Sequence, residues 1–192
     1  MNLRRSGRQA GFTLIELLTG IFLSAILLAG LYSVFFSQQS AFSAQEQVAE
    51  MNQNVRGALD LMTREIRLAG YKISTSTFNG IATATSDSIR ILADLNQDGD
   101  TADDNEDISY TYNPGTMQVC RNGVSLPVAD NITSLAFHYT LKDGTVTSAP
   151  ANPADIRKIN ILIAARTNRP DRDGTFRTIT LSSDITPRNL AS

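Results

Sequence analysis

The sequence contains little of the material from which catalytic sites are usually built. Its 192 residues include one cysteine, one histidine and no tryptophan. A single cysteine, Cys120, excludes an intrachain disulfide, and we expect it to be a small buried apolar residue. One histidine, His138, leaves little scope for histidine-based nucleophilic or zinc chemistry. No glycine-rich phosphate loop is present either, so the sequence argues against an enzyme.

Basic charge is scarce outside the amino terminus. The chain has 17 basic and 19 acidic residues, and the first eleven residues hold Arg4, Arg5 and Arg8 without any acid. Removing these three leaves 14 basic residues against 19 acidic ones, a net charge of about −5. An acidic remainder disfavours a surface for nucleic acid or anionic lipid, and we expect no nucleic-acid partner.

Proline is absent from Met1 to Asn113, and the apolar run of residues 12–36 is uninterrupted except for one charge, Glu16. As a helix these 25 residues span about 37 Å, enough to cross a bilayer core of about 30 Å. The run is too long for an ordinary cleaved secretory signal. A simple anchor leaves Glu16 unexplained, because an isolated carboxylate inside a bilayer is costly and needs a partner.

The residues Gly11 to Leu18 (GFTLIELL), preceded by a short basic leader, resemble the processing motif of type IV prepilins. The resemblance implies that prepilin peptidase cleaves between Gly11 and Phe12 and methylates the new amino group of Phe12. It also implies that Glu16 neutralises the Phe12 ammonium of a neighbouring subunit during assembly. The physics is consistent, since a buried charge is strongly penalised unless it is paired.

An amphipathic pattern follows the apolar run. Between Ser37 and Gly70, apolar residues recur every three or four positions, which predicts one buried stripe on a helix. Its members are Val48, Met51, Val55, Leu59, Met62 and Ile66. Gly70 is a plausible helix end. The segment Leu59 to Tyr71 (LDLMTREIRLAGY) resembles the end of the spine helix in PilW-type minor pilins.

Strand and turn signals replace the helical pattern after Tyr71. Six strands are predicted, at residues 88–93, 108–112, 117–120, 135–141, 159–163 and 176–181. Hairpin turns between several of them argue for an antiparallel sheet with one face against the stripe. The predicted fold is therefore α+β, with a long amino-terminal spine helix packed on an antiparallel sheet. Its predicted parts are a leader (1–11), a transmembrane helix (12–36), an amphipathic helix (37–70) and a β-rich head (71–192).

Seven acidic residues fall between Asp94 and Asp107, a segment called here the acidic loop. Its start, Asp94 to Asp100 (DLNQDGD), resembles the opening of an EF-hand calcium loop. The candidate calcium ligands are Asp94, Asn96, Asp98, Asp100 and Glu106. The twelfth position of such a loop normally holds a bidentate acid, but here it is Asn105, and strands are predicted in place of the EF-hand helices. A solvated acidic turn without a metal is the alternative.

The resemblance implies a minor pilin that helps to initiate or assemble a type IV pilus. Its partners would be other minor pilins, the major pilin, prepilin peptidase and the inner membrane. The amino terminus would be cytoplasmic and the head periplasmic before assembly, and the protein would then reach the pilus or cell surface. One alternative is a J-type minor pseudopilin of type II secretion. Another is a binding module for adhesion or DNA uptake displayed on a filament, for which basic residues in the last third, such as Arg157 and Arg166, would be candidates.

Overall fold

A computed structural model gives the structure of the protein over residues 11–73, 76–123 and 126–190. One long helix, α1 (Leu14–Leu68), comes first and is followed by strands. The strands are β1 (Ile81–Ala84), β2 (Ser88–Leu92), β3 (Asp107–Asn113), β4 (Gln118–Arg121), β5 (Pro127–Ala129), β6 (Ile132–Leu141), β7 (Val146–Thr147), β8 (Ile156–Arg166) and β9 (Thr178–Ile185). The chain divides into two compact units, Met1–Gln45 and Glu46–Ser192. The basic residues of the predicted leader, Arg4, Arg5 and Arg8, lie outside the described residues.

The amino-terminal unit presents apolar side chains on all sides of its helix. Every large hydrophobic side chain from Phe12 to Phe42 is exposed within the single chain. The helix is long and apolar enough to cross a membrane, and its most apolar stretch of 18 residues contains no buried residue. An apolar surface of this extent is rare on a soluble monomer, and it requires lipid or other chains to cover it.

The carboxyl-terminal unit is built around the second half of α1. The predicted stripe is confirmed, because Met51, Val55, Leu59, Met62 and Ile66 are buried. Ala58 joins them, while Val48 is only half-buried at the edge of the core. These helical residues share one hydrophobic cluster with side chains from both sheets described below. The 3.6-residue period of the apolar side chains therefore identifies the face of the helix that packs against the strands.

Helix α1 ends where the sequence predicts. Gly70 follows the last helical residues with φ 78°, a left-handed conformation that glycine adopts without a steric penalty. Its amide donates to the carbonyl of Leu92 at 2.9 Å, which ties the helix end to β2. Gly80 approaches the same point so closely that a Cβ on it would lie 2.2 Å from the Gly70 nitrogen. Two glycines thus allow the chain before β1 to pass over the helix end.

Two antiparallel sheets complete this unit. The first has the order β1-β2-β3-β4-β5, a meander in which each strand pairs with the next in the chain. The second has the order β7-β6-β8-β9, with the longest pairing between β6 and β8. The Tyr139 hydroxyl on β6 donates to the carbonyl of Thr85 beside β2, so the sheets are joined across the core.

The fold class predicted from the sequence is confirmed as a long helix packed against antiparallel strands, but the strands form two sheets and not one. All six predicted strands are present, with limits that differ from the expected ones by no more than four residues. Strands β1, β5 and β7, which have four, three and two residues, were not predicted. Such short strands show no readable alternation of apolar and polar residues.

Candidate assembly and cation-binding sites

The start of α1 forms a reciprocal cap between Thr13 and Glu16. The Thr13 backbone amide and hydroxyl both donate to Glu16 Oε2 at 2.9 Å. The Glu16 amide in turn donates to Thr13 Oγ1 at 3.3 Å. This is the capping box, in which a threonine and a glutamate three residues later satisfy amides that lack a helical partner. The T-x-x-E signature of a capping box is present in the sequence, but a capping role for Thr13 was not predicted.

The predicted cleavage point lies just before this cap. Gly11, Phe12 and Thr13 precede the helix, and the Phe12 side chain is 91% exposed. A Cβ placed on Gly11 would meet no atom of the described residues beyond its chain neighbours within 4 Å, so they leave the backbone there open to approach. Phe12, Glu16, Gly20 and Ser24 lie along one shallow apolar groove of the helix surface. The structure thus brings the three residues predicted for processing and assembly onto one accessible segment.

A second polar cluster lies near the other end of α1 and was not predicted. Glu65 accepts from Arg121 Nε at 3.1 Å and from the Tyr110 hydroxyl. Desolvation raises the pKa of Tyr110, and the adjacent Glu65 carboxylate raises it further. The cluster fixes β3 and β4 to the helix. Its signal in the sequence was weak, because Glu65 stands between the stripe residues Met62 and Ile66 and its partners lie on distant strands.

The acidic loop connects β2 to β3 through a series of tight turns. Three backbone amides in succession, those of Asp98, Asp100 and Ala102, donate to the side chain two residues before each of them. Gln97 and Gly99 adopt positive φ angles of 66° and 100°. This winding brings the side chains of Asp98 and Asp100 toward a common centre, whereas the first two ligand positions of the D-x-N-x-D-G spacing do not join them.

Four acidic side chains converge within the acidic loop. Asp98, Asp100, Asp103 and Glu106 each offer one oxygen, and these oxygens lie within 4.8 Å of one another. Three of the four were candidate ligands in the sequence analysis. Asp103 was not predicted as a ligand, because the EF-hand spacing places its last acidic ligand at the twelfth residue of the loop. That twelfth residue, Asn105, instead accepts from Arg121 Nη2 at 2.8 Å.

Two other candidate ligands lie outside this converging set. Asp94 Oδ2 accepts from the Gly99 amide at 3.1 Å and from the Ser76 hydroxyl at 3.4 Å, so it supports the turn. Asn96 directs its amide nitrogen at Asp98 Oδ2 (3.0 Å) and Asp103 Oδ2 (2.6 Å). In this geometry Asn96 is a donor to the carboxylates and does not present its oxygen to the same centre.

Two neighbouring carboxylates of the acidic loop have pKa values shifted in opposite directions. The Asp100 amide and then the Asn96 side chain lower the pKa of Asp98. Partial desolvation and then repulsion from the Asp98 carboxylate raise the pKa of Asp103. Hydrogen bonds favour the ionised form of Asp98, whereas desolvation and a neighbouring like charge disfavour the ionised form of Asp103.

The remaining residues singled out from the sequence have structural positions. Cys120 is buried in β4, as expected, and His138 is exposed on β6. Among the basic residues of the last third, Lys158 pairs with Asp184 at 3.0 Å and Arg177 with Asp171 at 2.8 Å. Arg166 stacks over the Phe176 ring at 4.2 Å. These contacts engage several of the residues on which a nucleic-acid surface would depend.

Helix α1 is apolar and exposed in its first half, packs against strands in its second half, and begins with a cap formed by Thr13 and Glu16. These features define a type IV pilin-like protein. The prokaryotic N-terminal methylation motif matches residues 6–32. The family described as prepilin peptidase-dependent protein B matches residues 44–184, and the chain belongs to it. The protein is accordingly one that prepilin peptidase processes.

One solved structure supports the fold assignment. A type IV-like pilin from Thermus thermophilus aligns with a TM-score of 0.54 at 13% sequence identity, covering 74% of this chain and 100% of that one. Similarity at this identity concerns the fold alone. A comparison with curated proteins gave no match.

Proposed function

We propose that the protein is a minor pilin, a low-copy structural subunit that helps to initiate or assemble a type IV pilus. The observation that supports the proposal is the start of α1, where a carboxylate stands on an apolar segment whose large side chains are all exposed. In this reading prepilin peptidase cleaves between Gly11 and Phe12 and methylates Phe12. The amino terminus faces the cytoplasm and the strands face the periplasm until the subunit leaves the membrane for the filament.

Glu16 has two roles in this proposal, at successive stages. In the separate subunit it caps its own helix through Thr13. In the filament it neutralises the Phe12 ammonium of a neighbouring subunit, since a charge pair in an apolar environment is far stronger than in water. The apolar groove that Phe12 and Glu16 share with Gly20 and Ser24 suits close helix packing, because small side chains let helix backbones approach.

The matched variants Glu16→Ala and Thr13→Ala separate these roles. Both disrupt the reciprocal cap, but Thr13→Ala keeps the carboxylate and the backbone amide of residue 13 that donates to it. We expect both to be cleaved normally, and Glu16→Ala to appear in sheared pili at least about tenfold less than wild type, because one buried ammonium then lacks its partner. Thr13→Ala should be incorporated nearly as well as wild type. Immunoblots of sheared pili, normalised to the membrane fraction, provide the measurement.

The mass of the mature amino terminus, with and without prepilin peptidase, is the accompanying control. A start at methylated Phe12 that disappears without the peptidase supports the assigned cleavage point. Normal incorporation of Glu16→Ala would contradict the pairing role, and equal losses in both variants would reduce that role to helix capping.

Two further candidate functions share the same processing. A J-type minor pseudopilin would be needed for secretion of folded proteins, so its deletion would abolish secretion and leave pili intact. A displayed binding module would be dispensable for pilus number but needed for adhesion or DNA uptake. The minor-pilin proposal predicts instead that deletion sharply reduces pilus number, and that the protein is substoichiometric to the major pilin in purified pili.

A further inference from the structure

A buried carboxylate oxygen in the acidic loop has no hydrogen-bond donor. Glu106 is only 2% exposed, and its Oε2 is without a partner among the described residues. Its other oxygen, Oε1, accepts from the amides of Leu95 (2.7 Å) and Asn96 (3.1 Å). A buried ionised oxygen left unsatisfied is costly, so a compensating positive charge is expected beside it.

The same glutamate belongs to the converging set of four carboxylates. Two oxygens on opposite sides of a calcium ion, each about 2.4 Å from it, lie about 4.8 Å apart. The four oxygens of Asp98, Asp100, Asp103 and Glu106 fall within that separation of one another. The oxygens can therefore reach one ion of calcium's size with small side-chain adjustments.

The donor atoms of these four side chains favour calcium over zinc and magnesium. All four ligands are carboxylate oxygens, and no histidine or cysteine is among them. Zinc favours nitrogen and sulfur donors, whereas calcium takes six to eight oxygens in a flexible shell. Magnesium needs a tighter octahedron, with opposite oxygens about 4.2 Å apart, and gives up its water ligands reluctantly.

We infer that the acidic loop binds one calcium ion through Asp98, Asp100, Asp103 and Glu106. Asn96 has a positioning role, because its amide nitrogen already holds the carboxylates of Asp98 and Asp103. Asp94 supports the turn through the Gly99 amide. The site uses an EF-hand-like opening, but Asp103 and Glu106 take the place of the acid that Asn105 does not provide.

The ion would also fix the chain that follows α1. The Asp94 amide donates to the Tyr71 carbonyl at 2.7 Å, and Gln97 Nε2 donates to the Tyr71 hydroxyl at 2.7 Å. The Ala93 amide donates to the Glu106 carbonyl at 2.9 Å. Because the loop touches both the helix end and β3, neutralising its charges stabilises the junction between them. Calcium is thus a structural ion for the strand-bearing unit, whichever filament the protein serves.

Isothermal titration of the mature protein in detergent micelles, with calcium chloride at physiological ionic strength, tests the inference. We expect one saturable site with a Kd of about 10⁻⁴ M or lower, and a rise of several degrees in the unfolding temperature. Asp103→Asn should abolish both effects. Asp104→Asn removes the same charge from the neighbouring residue, which lies outside the converging set, and should retain both.

The two variants separate a site from diffuse charge screening. Equal weakening by Asp103→Asn and Asp104→Asn, or no saturable heat in the wild-type protein, would overturn the site. An equally strong response to magnesium chloride would overturn the assignment to calcium.

A third variant, Glu106→Gln, is expected to raise the unfolding temperature in the absence of calcium. Glutamine can still accept from the amides of Leu95 and Asn96, but it removes the unsatisfied buried charge. In EDTA the variant should therefore unfold at a higher temperature than the wild type, whereas added calcium should leave its unfolding temperature unchanged. A variant that is less stable in EDTA and still gains stability from calcium would contradict the role of Glu106.

Discussion

At the scale of single residues, the contact between Gly80 and Gly70 leaves no room for a side chain on Gly80. A Cβ on Gly80 would lie 2.2 Å from the nitrogen and 2.4 Å from the Cα of Gly70. Both are backbone atoms at the end of α1, so no side-chain rotation can relieve the overlap. The first strand must shift away from the helix to accommodate any larger residue.

Gly80→Ala should therefore destabilise the protein by about 3 kcal/mol or more, through overpacking and the displacement of β1. Gly57→Ala is the matched control. Gly57 lies inside α1, and a Cβ there meets no atom of the described residues within 4 Å apart from the nearby backbone of the helix itself. That control should stabilise the helix by about 0.5–1 kcal/mol. Urea unfolding followed by circular dichroism measures both. A Gly80→Ala variant as stable as wild type would show that the close approach is not required.

The acidic loop shows, at the same scale, what could be read from the sequence and what could not. The spacing from Asp94 to Asp100 predicted a turn that gathers oxygens, and Asp98 and Asp100 do converge. The proximity of Asp103 to them could not be predicted, because the loop contains two non-glycine residues with positive φ, Gln97 and Asn105, which the spacing does not reveal. The bond from Arg121 to Asn105 joins residues from different strands and turns, so no local pattern could predict it.

At the scale of elements, α1 carries two different patterns along one helix. Its first part is exposed and apolar all round, while its second part buries a single stripe. The stripe was predictable because the period of 3.6 residues is local to the chain. The division of the strands into two sheets was not, since alternation reveals which side chains point inward but not which strands are neighbours.

The stripe can be tested with two residues from the last turns of the helix. Ile66 is 0% exposed and Leu68 is 44% exposed. Ile66→Ala should cost about 2–5 kcal/mol, because it leaves a cavity between the helix and the strands. Leu68→Ala removes a side chain of the same size from the surface and should cost less than about 1 kcal/mol. Similar losses in the two variants, measured by urea unfolding, would contradict the assigned face.

At the scale of the whole molecule, each of the two sheets contributes a buried tyrosine that restricts the pH range of stability. Burial raises the pKa of Tyr110 on β3 and of Tyr139 on β6 above the ordinary value of about 10. The folded state therefore favours the protonated phenol. The resulting stability is fully present below pH 10 and is lost as the pH rises above 10 toward the folded-state pKa values.

The free energy of unfolding should accordingly fall steeply between about pH 10 and pH 11. The double variant Tyr110→Phe and Tyr139→Phe should show a clearly smaller decrease over this range, although it is less stable at pH 8 because the Tyr110 bond to Glu65 is lost. Tyr32→Phe, a change on the exposed part of α1, serves as the control and should leave the decrease unchanged. An identical slope in all three proteins would contradict the explanation.

The order of the strands has a consequence for how the molecule is made. In the first sheet every strand pairs with its immediate predecessor, and in the second no pairing skips more than one strand. Local pairings of this kind have a low entropic barrier to ring closure and form rapidly. A chain emerging amino end first can therefore dock each new strand on one that is already in place. Folding can therefore keep pace with synthesis, and the carboxyl-terminal unit can complete its core soon after its last strand, β9, becomes available.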